Sequence, residues 1–114
     1  MKKLLTLVLA LTTLALVGCG GGADNSSAKS EKVLKVGASP VPHAEILEVV
    51  KPELEKEGIK LEIVEFNDYV QPNLATNDKE IDANFFQHEP YLKNFVTEHP
   101  ELKLANVLGV HVEP

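Results

Sequence analysis

Short β-type runs separated by stretches of helix length constrain this chain more than any other feature. Val33 to Ala38, Leu61 to Phe66, Ile81 to Phe86 and Leu104 to Val112 read as strands. Strands spaced so far apart are not joined by hairpins and are expected to lie parallel, linked by right-handed crossovers. The fold class is therefore α/β, a parallel sheet with flanking helices. Its organising stretch is Ile81 to Tyr91 (IDANFFQHEPY). Strand alternation puts Ile81, Ala83 and Phe85 on one face and Asp82, Asn84 and Phe86 on the other. Pro90 suits the first turn of a following helix, where its missing N–H costs nothing, with Gln87 or His88 near the cap.

The connecting segments carry their own punctuation. Ser39-Pro40-Val41-Pro42 is a turn with Pro42 at a helix start, and Ile46, Leu47, Val50 and Leu54 follow as one apolar stripe. Pro52 is expected to kink that helix, having no N–H for the carbonyl of Glu48. Gly58 should end it as a C-terminal cap. Asn67-Asp68 can cap a short helix carrying Val70 and Leu74, which Asn77-Asp78 breaks. A further helix from about Glu89 to His99 should turn Tyr91, Leu92, Phe95 and Val96 inward.

Residues 1–18 differ in kind. Lys2 and Lys3 precede an apolar run from Leu4 to Val17, relieved only by Thr6, Thr12 and Thr13. It is too short and too weakly flanked for a spanning helix and reads as a secretory signal peptide. It closes on Leu16-Val17-Gly18-Cys19, which resembles the lipobox of bacterial lipoproteins, in which the cysteine is acylated and becomes the first mature residue. Several acyl chains on Cys19 would anchor the chain stably, where one would not. As the lone cysteine it permits no internal disulfide. Residues 19–31 then form a small, polar tether, and 32–114 the folded lobe.

In a parallel sheet the carboxyl ends of the strands share one edge, where open α/β sheets bind ligands. Ser39 to His43, Asn67 to Tyr69 and Phe86 to His88 converge there. Backbone N–H groups at the following helix starts offer a place for an anion such as a carboxylate. Tyr69 and Phe86 can line an apolar slot, and aromatic rings contact thioether sulfur favourably. Composition alone leaves Tyr69, Phe86 and His88 open between ligand contact and ordinary loop packing. Phe85 reads as core, Tyr91 as structural, and His43 as a surface residue of its helix. Glu45, Glu48 and Glu55 read as a solvated face.

Other chemistries find less support. The net charge is −6, which disfavours nucleic acid. Of the 4 histidines, none has a second one three to five residues away. His88-Glu89 offers adjacent ligand types, but neighbouring helical residues point apart, so no metal is expected. Ser39 has His43 four residues on, yet no nucleophile elbow surrounds it, and no cofactor loop is present, so neither enzymatic activity nor a cofactor is expected.

Three blocks carry a resemblance: Val36-Gly37-Ala38-Ser39-Pro40-Val41-Pro42-His43-Ala44-Glu45-Ile46-Leu47, Val64 to Asn73 (VEFNDYVQPN), and Asp82 to His88 (DANFFQH). In this order and spacing they resemble the NlpA/MetQ family of methionine-binding lipoproteins of ABC importers, from about Val33 to Pro114. The resemblance implies the first lobe of a type II periplasmic-binding-protein fold, lipid-anchored at Cys19 on the extracytoplasmic face of a bacterial membrane. It implies L- or D-methionine, or a short methionine peptide, as ligand, and delivery to an ABC permease driven by its ATPase. It places the aromatic pair Tyr69 and Phe86 around the thioether and His88 in contact with the ligand. Members of the family continue past the equivalent of Pro114 into a second lobe, which supplies an arginine for the ligand's carboxylate; all basic residues here are lysines. On that resemblance the chain is a truncated lobe. Losing a charged, desolvated contact commonly costs about 2–5 kcal/mol, so weak methionine binding or none is expected. The rival readings are a lipid-anchored surface module without transport activity and a metal-binding lipoprotein built on His88. A lobe of about 80 residues is near the lower limit for a self-sufficient core, so marginal stability is expected.

Overall fold

The computed structural model of the chain describes residues 31–113. The expected signal peptide, Cys19 and almost all of the expected tether lie outside the described residues. Six elements alternate: β1 (Lys32–Ala38), α1 (Glu45–Lys56), β2 (Ile59–Glu65), α2 (Gln71–Asn77), β3 (Ala83–Phe85) and α3 (Glu89–Glu98). The three strands form one parallel sheet in the order β2-β1-β3. The α/β class and the parallel pairing are as the spacing predicts. Among the described residues no helix is long and apolar enough to cross a membrane.

β1 is the central strand, and its burial runs along its length. β2 pairs with all of it, from Lys32 to Ala38, while β3 pairs only with Val36 to Ala38. Val36 and Ala38 are accordingly buried, whereas Val33 near the start is exposed. Gly37 is required for closeness. A Cβ there would lie 2.6 Å from Cδ1 of Ile81 and 2.7 Å from Cε2 of Phe66. Phe66 has left the β2 ladder but still donates its N–H to the carbonyl of Ala38 at 2.9 Å.

β3 is shorter than its apolar alternation predicts, and Asp82 is the reason. Its N–H donates to the carbonyl of Lys35 at 2.9 Å, and its Oδ2 accepts the N–H of Lys35 at 2.8 Å. A side-chain oxygen stands where a strand would offer its carbonyl, so regular pairing begins only at Ala83. The two faces divide as alternation requires. Asn84 meets α2 through Thr76 and Asn73, and Phe85 sits edge-on to His43 at the head of α1.

Local signals set most helix ends. Gly58 has φ +79° and donates to the carbonyl of Glu55, a left-handed cap that a Cβ would strain. Asp68 Oδ2 accepts the N–H groups of Val70 and Gln71 at 3.0 and 2.8 Å and so opens α2. Asp78 closes it. Helix geometry continues through Pro52 to Lys56, and no residue of α1 is fully buried. Its apolar stripe is half seated: Ile46, Leu47 and Leu54 are partly covered, while Val50 is exposed. Before α1, a tight turn from Pro40 to Ala44 contains a cis Val41–Pro42 bond and is closed by the N–H of Ala44 on the carbonyl of Ser39.

The expected fourth strand from Leu104 to Val112 does not form. Residues 104–112 follow α3 as an irregular extended run, with Val107, Leu108, Val110 and Val112 exposed. Alternating apolar residues supply only propensity, and a strand exists by pairing. β3, three residues long and bonded to β1, supplies no ladder for it. The run is instead held at its ends, by the Lys103 N–H on Asn77 Oδ1 at 3.0 Å and by Glu113 against His43.

Gly37→Ala is expected to cost about 1–3 kcal/mol, because the added carbon would lie under 3 Å from both Ile81 and Phe66 and force at least one of them to shift. Gly109→Ala, with nothing within 4 Å of the added carbon, should stay within about 0.5 kcal/mol. Urea unfolding midpoints of the two variants check the contrast.

Candidate functional site

The three segments after the strands meet at the carboxyl edge. After β2, the Asp68 carboxylate gathers the N–H groups of Val70 and Gln71 and fixes the loop from which Tyr69 projects, 63% exposed. After β3, Phe86 lies half-buried. The two rings are parallel, 5° apart in plane, with centroids separated by 5.9 Å. That spacing is an offset arrangement, and Tyr69 remains largely exposed to solvent. Tyr91, in the first turn of α3, braces both partners. Its hydroxyl donates to the carbonyl of Tyr69 at 2.6 Å, and its ring meets Phe86 edge-on at 6.0 Å. Partial burial raises the pKa of that hydroxyl, helped by the negative charges of Asp68 and Glu98, so it stays a donor. Tyr91 is structural, as its place on the inward stripe implies.

Beneath the aromatic pair lies a network of amides. Asn73 on α2 is 0% exposed. Its Nδ2 donates to Gln87 Oε1 at 3.0 Å, and Gln87 Nε2 returns a bond to Asn73 Oδ1 at 2.6 Å. Asn84 Nδ2 reaches Asn73 Oδ1, Thr76 Oγ1 and the carbonyl of Pro72, and its Oδ1 accepts from Gln87 Nε2. Asn84 and Gln87 flank Phe85 and Phe86, so the network locks the backbone that presents Phe86. Among the described residues, no buried side-chain nitrogen or oxygen lacks a partner.

His88 lies two residues beyond Phe86, exposed, as the N-cap of α3. Its extended backbone (φ −89°, ψ 161°) carries the cap, and the ring makes no capping bond. The structure thus brings Tyr69 and Phe86 together and leaves the imidazole of His88 at the same edge, facing water.

The anion site expected at the helix starts is largely taken. Asp68 already occupies the first N–H groups of α2, and α3 opens with Glu89, whose carboxylate is paired to Lys93 at 2.8 Å and titrates low because of that bond. What this edge offers a ligand is an apolar aromatic face.

A second cluster was hidden from local spacing. His43 is buried, 8% exposed, rather than a surface residue. Ser39 Oγ is hydrogen-bonded to its Nδ1, Phe85 meets its ring edge-on at 4.7 Å, and Glu113 Oε1 lies 3.2 Å from its Nε2. His111 is 5.6 Å away, centroid to centroid. Burial lowers the pKa of His43, the Glu113 charge works against that shift, and His111 adds to it. Glu113 is held low chiefly by its bond to His111. A search for histidines three to five apart passes over these residues because the chain between them is long. Only the His-x-Glu alternation at 111 and 113 was there to be noticed.

Asn73→Leu strands the amides of Asn84 and Gln87 and is expected to cost about 1–3 kcal/mol. The near-ultraviolet circular dichroism should weaken with it, since the two tyrosines of this tryptophan-free chain, Tyr69 and Tyr91, both belong to the aromatic cluster. Tyr91→Phe removes one hydrogen bond and should cost about 0.5–1.5 kcal/mol in a chemical denaturation series.

The pattern of the NlpA lipoprotein family matches residues 34–114. The methionine-binding lipoprotein MetQ of Bacillus subtilis is 41% identical over 114 residues, covering 100% of this chain and 41% of that protein. A pheromone cOB1 precursor/lipoprotein of the YaeC family from Enterococcus faecalis superposes with a TM-score of 0.59 at 62% identity, over 60% of this chain and 29% of its own. A nutrient-binding protein from Burkholderia cenocepacia, solved bound to methionine, gives a TM-score of 0.56 at 46% identity, over 59% of this chain and 28% of its own. The chain spans well under half the length of the curated relatives it matches. Matched by the family pattern across nearly all of its described residues, and by a named lipoprotein along its whole length, the chain belongs to the NlpA lipoprotein family.

Proposed function

We propose that this chain is the first lobe of an extracytoplasmic substrate-binding lipoprotein for methionine, in its L or D form, delivering its ligand to an ABC permease and its ATPase. The observation that carries the proposal is the parallel pair Tyr69 and Phe86 at the carboxyl edge of the sheet. Two ring faces held in one orientation suit an unbranched thioether, which is polarizable and meets aromatic carbon and edge hydrogens favourably. His88 stands beside the pair at the head of α3 and is assigned the polar end of the ligand. The methionine-binding relative from Bacillus subtilis and the methionine-bound structure from Burkholderia cenocepacia support the choice of ligand.

The electrostatics of the lobe divide the task. With Asp68 filling the start of α2, Glu89 opening α3 and no arginine in the chain, the ligand's carboxylate is assigned to residues outside this lobe. The lobe alone therefore binds weakly, through the side chain. Membrane attachment is assigned to acyl chains on Cys19, with residues 19–31 as the tether. The lipoprotein names of the relatives support this anchor. Holding and releasing a ligand requires no bond-making chemistry from the lobe.

L-methionine titration followed by tyrosine fluorescence tests the site. The expected result is a saturable change in the millimolar range, absent in Phe86→Ala and smaller with leucine. No response from a chain shown by circular dichroism to be folded, or an equal response to leucine, would overturn the assignment of these rings to a thioether. For the anchor, cells expressing the chain and fed a clickable palmitate analogue should label the wild type in the membrane fraction. A Cys19→Ala chain that still takes label would show the anchor to be misplaced.

A further inference from the structure

The cluster at His43 lies apart from the aromatic face and has no part in the methionine reading. Its ligand atoms come from two distant stretches, the head of α1 and residues 111–113. The imidazole nitrogens of His43 and His111 and a carboxylate oxygen of Glu113 all lie within 4.8 Å of one another. Both imidazoles address the same oxygen, with His43 Nε2 at 3.2 Å and His111 Nε2 at 2.9 Å from Glu113 Oε1. We propose that His43, His111 and Glu113 form a three-ligand site for a divalent cation of the zinc type, which staples residues 104–113 to the lobe.

Three features favour a cation over a plain hydrogen-bonded cluster. The donor set, two imidazoles and one carboxylate, is one that zinc accepts, with a fourth position left to water. Glu113 and His111 are partly exposed, so that position has access to solvent. The buried ring is already oriented: Ser39 Oγ holds Nδ1 and Phe85 packs against its edge, leaving Nε2 as the donor aimed at the site. A ligating histidine fixed through its other nitrogen is the usual arrangement around bound zinc. The hydrogen bonds now shared through Glu113 Oε1 would give way to two metal bonds from the imidazoles and one from the carboxylate.

A cation here would tie down a segment whose Val107, Leu108, Val110 and Val112 are exposed. Binding free energy would then appear as order in that segment and as stability of the lobe.

The test uses the full chain carrying Cys19→Ala, so that the thiol takes no metal, after removal of metal with a chelator. Zn²⁺ is titrated in by calorimetry, and thermal unfolding is followed with and without it. Saturation at one equivalent is expected, with a rise in Tm that the chelator reverses. His111→Ala and Glu113→Gln, both at exposed positions and so safe for folding, should each weaken binding by about tenfold or more. His99→Ala should leave it unchanged. The proposal is overturned if the folded chain takes up no Zn²⁺. It is equally overturned if His111→Ala and Glu113→Gln bind as well as the parent, or if His99→Ala removes the effect.

Discussion

A fully buried side-chain amide is the constraint on which the aromatic face depends. Asn73 sits on α2 with no exposed surface, and its bonds run to Asn84 on β3 and to Gln87 just after it. In the low dielectric of the interior such bonds are strong when complete and costly when broken, so the set acts nearly as a unit. Its effect is geometric. α2 cannot shift without dragging β3, and the loop presenting Phe86 leaves β3 between two of the network's members. The loop presenting Tyr69 is tied to α2 by Asp68 and to α3 by the hydroxyl of Tyr91. Parallel rings 5° apart in plane are the result of these restraints taken together.

The other half of the lobe rests on crowding. β1 is paired on both sides only over its last three residues, and there Gly37 is all that fits between Ile81 and Phe66. Close approach at the carboxyl end of the central strand brings all three post-strand segments to one edge. Steric closeness and polar pairing therefore act on opposite faces of β3. Asn84 looks toward α2 and Phe85 toward His43, so one three-residue strand connects the aromatic face with the histidine cluster.

For a ligand carrier this division has a consequence. The lobe is acidic where its helices begin and aromatic where its loops end, so this edge is suited to an apolar side chain rather than to a carboxylate. Members of the NlpA lipoprotein family that are much longer than this chain have more surface with which to complete such a site. The histidine cluster gives the segment after α3 a point of attachment on the far side of β3 from the amide network.

Much of this was legible in the sequence, for reasons that are local. The parallel α/β class follows from the spacing of strands, and the helix ends marked by Gly58, Asp68 and Pro90 are set by residues within one turn of where they act. The placing of Tyr69, Phe86 and His88 at one edge follows from the class itself. What lies beyond these is made by contacts between distant residues. Asp82 shortens β3 because its carboxylate meets the N–H of Lys35, an encounter that alternation does not encode. Residues 104–112 have the composition of a strand but find no ladder, since pairing belongs to the neighbour as much as to the run itself. His43 is buried and grouped with His111 and Glu113 only because the chain returns across the head of α1. The sequence by itself determined the three helices, the three paired strands, their order and the edge where ligand chemistry could gather, because periodicity and caps act over a few residues. The tertiary structure alone decided how long β3 is, how the rings face each other and which histidine has partners, because those depend on surfaces that meet only once the chain has folded.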